Sequence, residues 1–157
     1  AISLALRNPQ LVSKLILVDS APLTGLHTPE EHYPIIEQYK SNKDLLTQAL
    51  QAVTPTMDDP DFLSRLADEA MKMNPLAFEG NARALDRFDY SENGSRYGGP
   101  VLVCAGDQDV LITKEMAQAT ADAFPNSELK ILEGVGHSVM VEDPDRFASL
   151  LREFLER

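Results

Sequence analysis

Three short apolar runs constrain this chain most: "LILV" at 15–18, "VLVCA" at 101–105 and "LKIL" at 129–132. Each has the length of a strand and is bounded by turn or charged residues. Mostly continuous hydrophobicity marks strands buried on both faces, as in a parallel sheet. Between the second and third runs lies "TKEMAQATADAF", where Thr113 is placed to cap a helix, Glu115 stands in its first turn and Pro125-Asn126 stops it. The result is a strand-helix-strand unit. After the third run, Asp143 caps and Pro144 starts a last helix, whose Phe147, Leu150, Leu151, Phe154 and Leu155 make one stripe to bury against the sheet.

Residues 21–99 have a different character. They contain no convincing strand but several helical patterns, such as Phe62, Leu63, Leu66, Ala70 and Met73, punctuated by Pro29, Pro55, Pro60 and Pro75. The pattern predicts an insertion of three or four helices, closed by the turn cluster "ENGSRYGGP". Ahead of the first run, "AISLALRNP" reads as the tail of a helix ended by Asn8-Pro9. A sheet that starts this way leaves one edge of its first strand unpaired, which predicts either chain missing upstream or self-association through that edge into a homo-oligomer.

With 25 acidic against 14 basic residues the formal charge is -11, which argues against nucleic acid or an anionic membrane as partner. No apolar run approaches the roughly 18 residues of a membrane span, and the first residues lack the pattern of a signal peptide, so a cytoplasmic location is expected. The single cysteine, Cys104, sits in "VLVCA" and reads as a small buried hydrophobe. The sequon Asn93-Gly94-Ser95 is explained by its turn-forming composition.

The chemistry lies at strand ends. "AGDQDV" places Asp107 and Asp109 on the loop after the second strand, and "EGVGHS" places His137 after the third. Ligands of open α/β sheets sit at the carboxyl edge of the strands, so both loops face the expected site. A carboxylate and an imidazole on adjacent loops suit the orienter and base of a nucleophilic hydrolase. Asp107 is the rival acid, but it follows the strand more closely and reads as a turn former. Asp19, after the first strand, is an alternative acid position, with a solvent-facing carboxylate as the plainer reading. Two aspartates one residue apart lack the spacing of a calcium loop, and no metal or cofactor is expected. His27 and His32 read as solvated helix-start residues. Tyr33, Ile36, Met71, Met73 and Phe78 either line a pocket or, as their spacing suggests, form helical core.

On these residues the chain resembles the C-terminal half of an α/β-hydrolase. "LALRNPQLVSKLILVDSAP" is similar to the helix after the nucleophile and strand six, 21–99 to the helical cap, "PVLVCAGDQD" to strand seven with its acid, and "GVGHSVMVEDPDRFASLLREFL" to the histidine loop and final helix. The resemblance implies a partial α/β fold, with strands six to eight and flanking helices in 1–20 and 100–157 and the cap in 21–99. It implies Asp109 as catalytic acid, His137 as base, and a small or medium acyl molecule as substrate of a carboxylesterase-like serine hydrolase. The family's order is Ser, then acid, then His, yet no Gly-x-Ser-x-Gly elbow occurs in the chain, and Ser3 and Ser13 lack its glycine frame. The chain alone is therefore expected to be inactive. Two alternatives stand beside that reading: a dehalogenase, epoxide hydrolase, perhydrolase or C–C hydrolase of the same fold, and a truncated, non-catalytic, self-associating module.

Overall fold

The computed structural model describes residues 1–157. Helix α1 (Ile2–Arg7) ends at Asn8-Pro9 and leads into strand β1 (Leu15–Val18). Four helices follow without an intervening strand: α2 (Tyr33–Tyr39), α3 (Lys43–Val53), α4 (Pro60–Ala70) and α5 (Pro75–Asp86). The chain then returns to strand β2 (Val101–Gly106), helix α6 (Lys114–Asp122) and strand β3 (Ser127–Leu132). It finishes with the short helix α7 (Val139–Glu142) and the long helix α8 (Pro144–Glu156).

The strands form one parallel sheet in the order β1-β2-β3, with Leu15 opposite Val101 and Val101 opposite Ser127. Alternation along the strands sends side chains to two faces. On one face Leu15, Leu17, Val101, Val103 and Ala105 pack with Ile2, Ala5 and Leu6 of α1 and Ala117 and Ala121 of α6. On the other, Cys104 and Leu132 meet Val135, Val139 and the α8 residues Phe147 and Leu150. Central β2 is buried throughout, whereas β1 pairs on one side only. The expectation that all three runs are buried on both faces fails at β3, where Lys130 and Ile131 are exposed. β3 is an edge strand, and only β2 carries neighbours on both sides.

Local signals account for the helix starts. Thr113 Oγ1 accepts from the Met116 amide at 3.3 Å and Asp143 Oδ1 from that of Arg146 at 3.1 Å, each filling an N-terminal donor that the helix cannot satisfy itself. Asn42, Asp59 and Asn74 cap α3, α4 and α5 in the same way. The helical segment has a small core of its own in Leu46, Ala67 and Phe78, with Ile36 and Met71 packed against it. Tyr33 is also buried, while Met73 is exposed, so four of the five candidate pocket residues are packing residues. No helix is long and apolar enough to cross a membrane.

Candidate active site

The carboxyl ends of all three strands converge on His137. The approach is close because Gly106, at the end of β2, has no side chain: a Cβ there would lie 2.1 Å from Val135 O and 2.3 Å from Gly136 O. Backbone bonds complete the seam, from the Asp107 amide to Leu132 O at 3.0 Å and from the Gln108 amide to Val135 O at 2.9 Å. Gly134 turns the histidine loop with φ +73°, a conformation that favours glycine, and its amide donates to Asp107 Oδ1 at 2.7 Å.

Asp109 performs two tasks with its two oxygens. Oδ1 accepts from the amides of Leu111 at 2.7 Å and Ile112 at 3.0 Å, which fixes the carboxyl plane. Oδ2 lies 2.9 Å from His137 Nδ1. The Asp109 side chain is 0% exposed and the imidazole 29%, so the acid is enclosed and the ring keeps one open side. The expected division of labour is thus corrected: Asp109 forms its own loop's turn, while Asp107 reaches across to hold the next loop. Burial alone would raise the Asp109 carboxyl, but the bonds from His137, Ile112 and Leu111 outweigh it and hold it below its ordinary range. The same bond to Asp109 raises the imidazole against the opposing effect of burial, and the charges of Asp109, Asp19 and Glu142 add to it. An ionised carboxylate only accepts, so Nδ1 is the donor, and in the neutral ring Nε2 is left with a free lone pair. That is the protonation pattern a general base needs.

Asp19 overturns the solvent-facing reading. It is 8% exposed and adopts φ +44°, with Oδ1 accepting from the Gly106 amide at 3.2 Å and Oδ2 from that of Val139 at 3.4 Å. Burial pushes its carboxyl up to about 6 in spite of those two amides. It makes no bond to His137 but acts on it as a nearby charge. Burial, with Asp19 nearby, likewise pushes the fully buried Cys104 thiol up to about 12, so the chain offers no thiolate at neutral pH. His27 is largely exposed and pairs with Asp86 Oδ1 at 2.6 Å, far along the chain from the loops around His137. No three His, Cys, Asp or Glu side chains converge to hold a metal ion.

This arrangement has known counterparts. The profile of the alpha/beta hydrolase family matches residues 1–150. The chain belongs to that family. A putative carbamate hydrolase, RutD, of Agrobacterium fabrum is 29% identical over 163 residues, an alignment that takes in 98% of this chain and 62% of that protein. Among solved structures, the enol-lactonase of Burkholderia xenovorans LB400 superposes with a TM-score of 0.85 at 20% identity, over 99% of this chain and 61% of that one. The esterase of Exiguobacterium antarcticum gives 0.83 at 19%, over 99% and 63%. At such identities the superpositions speak for the hydrolase fold alone. The chain spans about three fifths of the length of these relatives.

Three residues around His137 are not singled out by any signal in the sequence. Gly106 stands in "AGD", where only its place between a buried strand and a polar loop hints at close approach. Val53 accepts the His137 amide at 2.8 Å through its carbonyl, which no side-chain pattern encodes. Glu142 accepts from both amides that flank His137, yet in "VEDP" it reads as one more acid at a helix start.

Proposed function

We propose that His137 is the general base and Asp109 its orienting acid in a serine hydrolase that cleaves small or medium acyl substrates as a carboxylesterase does. The observation that carries this reading is the 2.9 Å bond from His137 Nδ1 to an Asp109 oxygen whose side chain is fully enclosed. Residues 21–99 act as the cap over that site, and 1–20 with 100–157 form the supporting core. No Gly-x-Ser-x-Gly sequence occurs in these 157 residues, so the nucleophile and its oxyanion donors come from outside them. The serine proton passes to His137 Nε2 as its oxygen attacks the carbonyl carbon, and then to the leaving group. A water deprotonated by the same nitrogen releases the acid, and Asp109 stabilises the imidazolium at each stage. The names of the relatives support acyl chemistry: a carbamate, an ester and a lactone each break a bond between a carbonyl carbon and a heteroatom. No cofactor takes part in this scheme.

The test is the hydrolysis of p-nitrophenyl esters by the intact hydrolase carrying His137→Ala. A fall in kcat/KM of at least about a hundredfold is expected, because members of a triad carry at least that much. A smaller fall refutes the assignment. The 157 residues alone should hydrolyse the ester no faster than buffer.

A further inference from the structure

Every backbone amide from Gly136 to Ser138 is held, and Glu142 holds two of the three. Its Oε2 accepts from the Gly136 amide at 3.1 Å, and its Oε1 from the Ser138 amide at 3.1 Å. The same Oε2 reaches out of the loop to Thr56, accepting from its amide at 3.2 Å and from its hydroxyl at 2.6 Å. The amide between the two, that of His137, donates to Val53 O at 2.8 Å. Val53 is the last residue of α3, and Thr56 lies three positions on in the turn toward α4. The turn is pressed against the histidine loop so tightly that a Cβ on Gly136 would lie 2.4 Å from Pro55 Cδ. None of the four donors to Glu142 is cationic, so the carboxylate is not half of a surface ion pair whose geometry is free to vary. Hydrogen bonds to an ionised acceptor are about twice as strong as neutral ones, and four together define where the acceptor sits.

We propose that Glu142 is a positioning residue that latches the histidine loop to the 53–56 turn of the cap, so that the seating of the cap sets how His137 meets Asp109. The inference rests on the role proposed for His137, but the bonds themselves do not. Glu142 makes no hydrogen bond to the imidazole or to Asp109, and apart from its charge it acts through the two peptide units on either side of the base. A displaced cap turn would pull Thr56 and Val53 away together, and the backbone of residues 136–138 would lose anchors on both sides. The cap therefore does more than cover the site: it is one wall of the fixture that holds the base.

The test uses two variants and two readouts that do not depend on turnover. Glu142→Gln keeps the shape of the side chain but replaces one acceptor oxygen with a donor. Thr56→Val, at an exposed position, removes only the cap's hydroxyl leg. Hydrogen exchange at the Gly136 and Ser138 amides should quicken about tenfold in Glu142→Gln and about threefold in Thr56→Val, with the β2 amides unchanged. The downfield NMR resonance of the His137 Nδ1 proton, which reports the bond to Asp109, should shift and broaden in both variants. In Thr56→Val, which keeps the charge of Glu142, a purely structural tie would quicken the amides and leave that resonance in place, and this result overturns the positioning role. Wild-type exchange in Thr56→Val overturns the link to the cap. If His137→Ala leaves ester hydrolysis intact, the proposed catalysis fails, while both readouts still decide whether the latch exists.

Discussion

The two halves of the molecule are held together by different kinds of contact. In the helical segment the ion pairs stand in contact with water, whether local, as between Lys72 and Glu69 or Arg83 and Glu79, or between elements, as between Lys43 and Asp68 and between Arg83 and Glu30. At the carboxyl edge of the sheet the partners are distant in sequence and enclosed. Asp107 and Gly134 are 27 residues apart, Asp109 and His137 28, Asp19 and Gly106 87, and Asp19 and Val139 120. Exposed helix pairs contribute little and yield easily. Enclosed bonds between distant loops have no solvent to fall back on, so one change there is felt by every loop that meets it. The strand-end loops are held by distant partners that are enclosed, whereas the helical segment is held by pairs, near or far, that stand in water.

The largest expected break in this contrast is Gly106→Ala. The new methyl would meet two backbone carbonyls of the histidine loop, which cannot swing aside as a side chain can. The variant should lose more than about 4 kcal/mol in urea unfolding, a size reserved for overpacking and comparable faults. A loss below about 1 kcal/mol would mean that the seam is loose. Next comes Phe78→Ala in the helical core, expected to cost about 3 kcal/mol by the usual range for buried aromatic deletions. Hydrogen exchange should place that loss in 33–86 and spare β2, since the helices have a cluster of their own.

Asp19 sharpens the contrast through pH. Its folded carboxyl titrates at about 6, above the ordinary value of 3.8, so folding favours the protonated form. The associated stability is fully present below the unfolded value and is lost as pH rises through about 6. Asp19→Asn keeps an uncharged side chain of the same shape and tolerates the positive φ. Relative to the wild type it should gain about 3 kcal/mol between pH 3 and pH 8, at 1.36 kcal/mol for each pK unit. Thermal melts across that interval measure the difference, and parallel curves would show that Asp19 is not desolvated. His137 runs in the same direction, since its raised value also contributes stability that fades with rising pH, and most of that is common to both proteins because Asp109, not Asp19, is its main cause. The smallest effect is expected at Gly80 in α5, where a Cβ would meet nothing within 4 Å. Gly80→Ala should stabilise by about 0.5–1 kcal/mol, the opposite sign to the same substitution at Gly106.

The same division explains what could be read from the sequence. "LILV" became β1 with both ends as expected, and Thr113, Asp143 and Pro144 start their helices where the pattern put them, because capping and periodicity act within a few residues. The pairing of Asp109 with His137 was expected from the resemblance, and geometry brings the two within hydrogen-bond reach. Asp19 was misread because its enclosure comes from Val139 and Gly106, which nothing near it in the chain announces. Lys130 and Ile131 were misread because a strand's place in the sheet is a property of the whole fold. Glu142 is not legible in the sequence because its value lies in four donors from two separate stretches of chain, residues 136–138 and Thr56.

The bond from the His137 amide to Val53 O has one more consequence. A helix leaves its last carbonyls without internal partners, and here one of them is completed by the backbone amide of His137. The connection between α3 and α4 is thereby anchored in register with the histidine loop more than eighty residues away. Loops that join helices usually accept insertions and deletions with little harm. This one should not: a residue added between Val53 and Thr56 would move either the carbonyl or the hydroxyl, so the length of a surface turn is fixed by the chemistry beneath it.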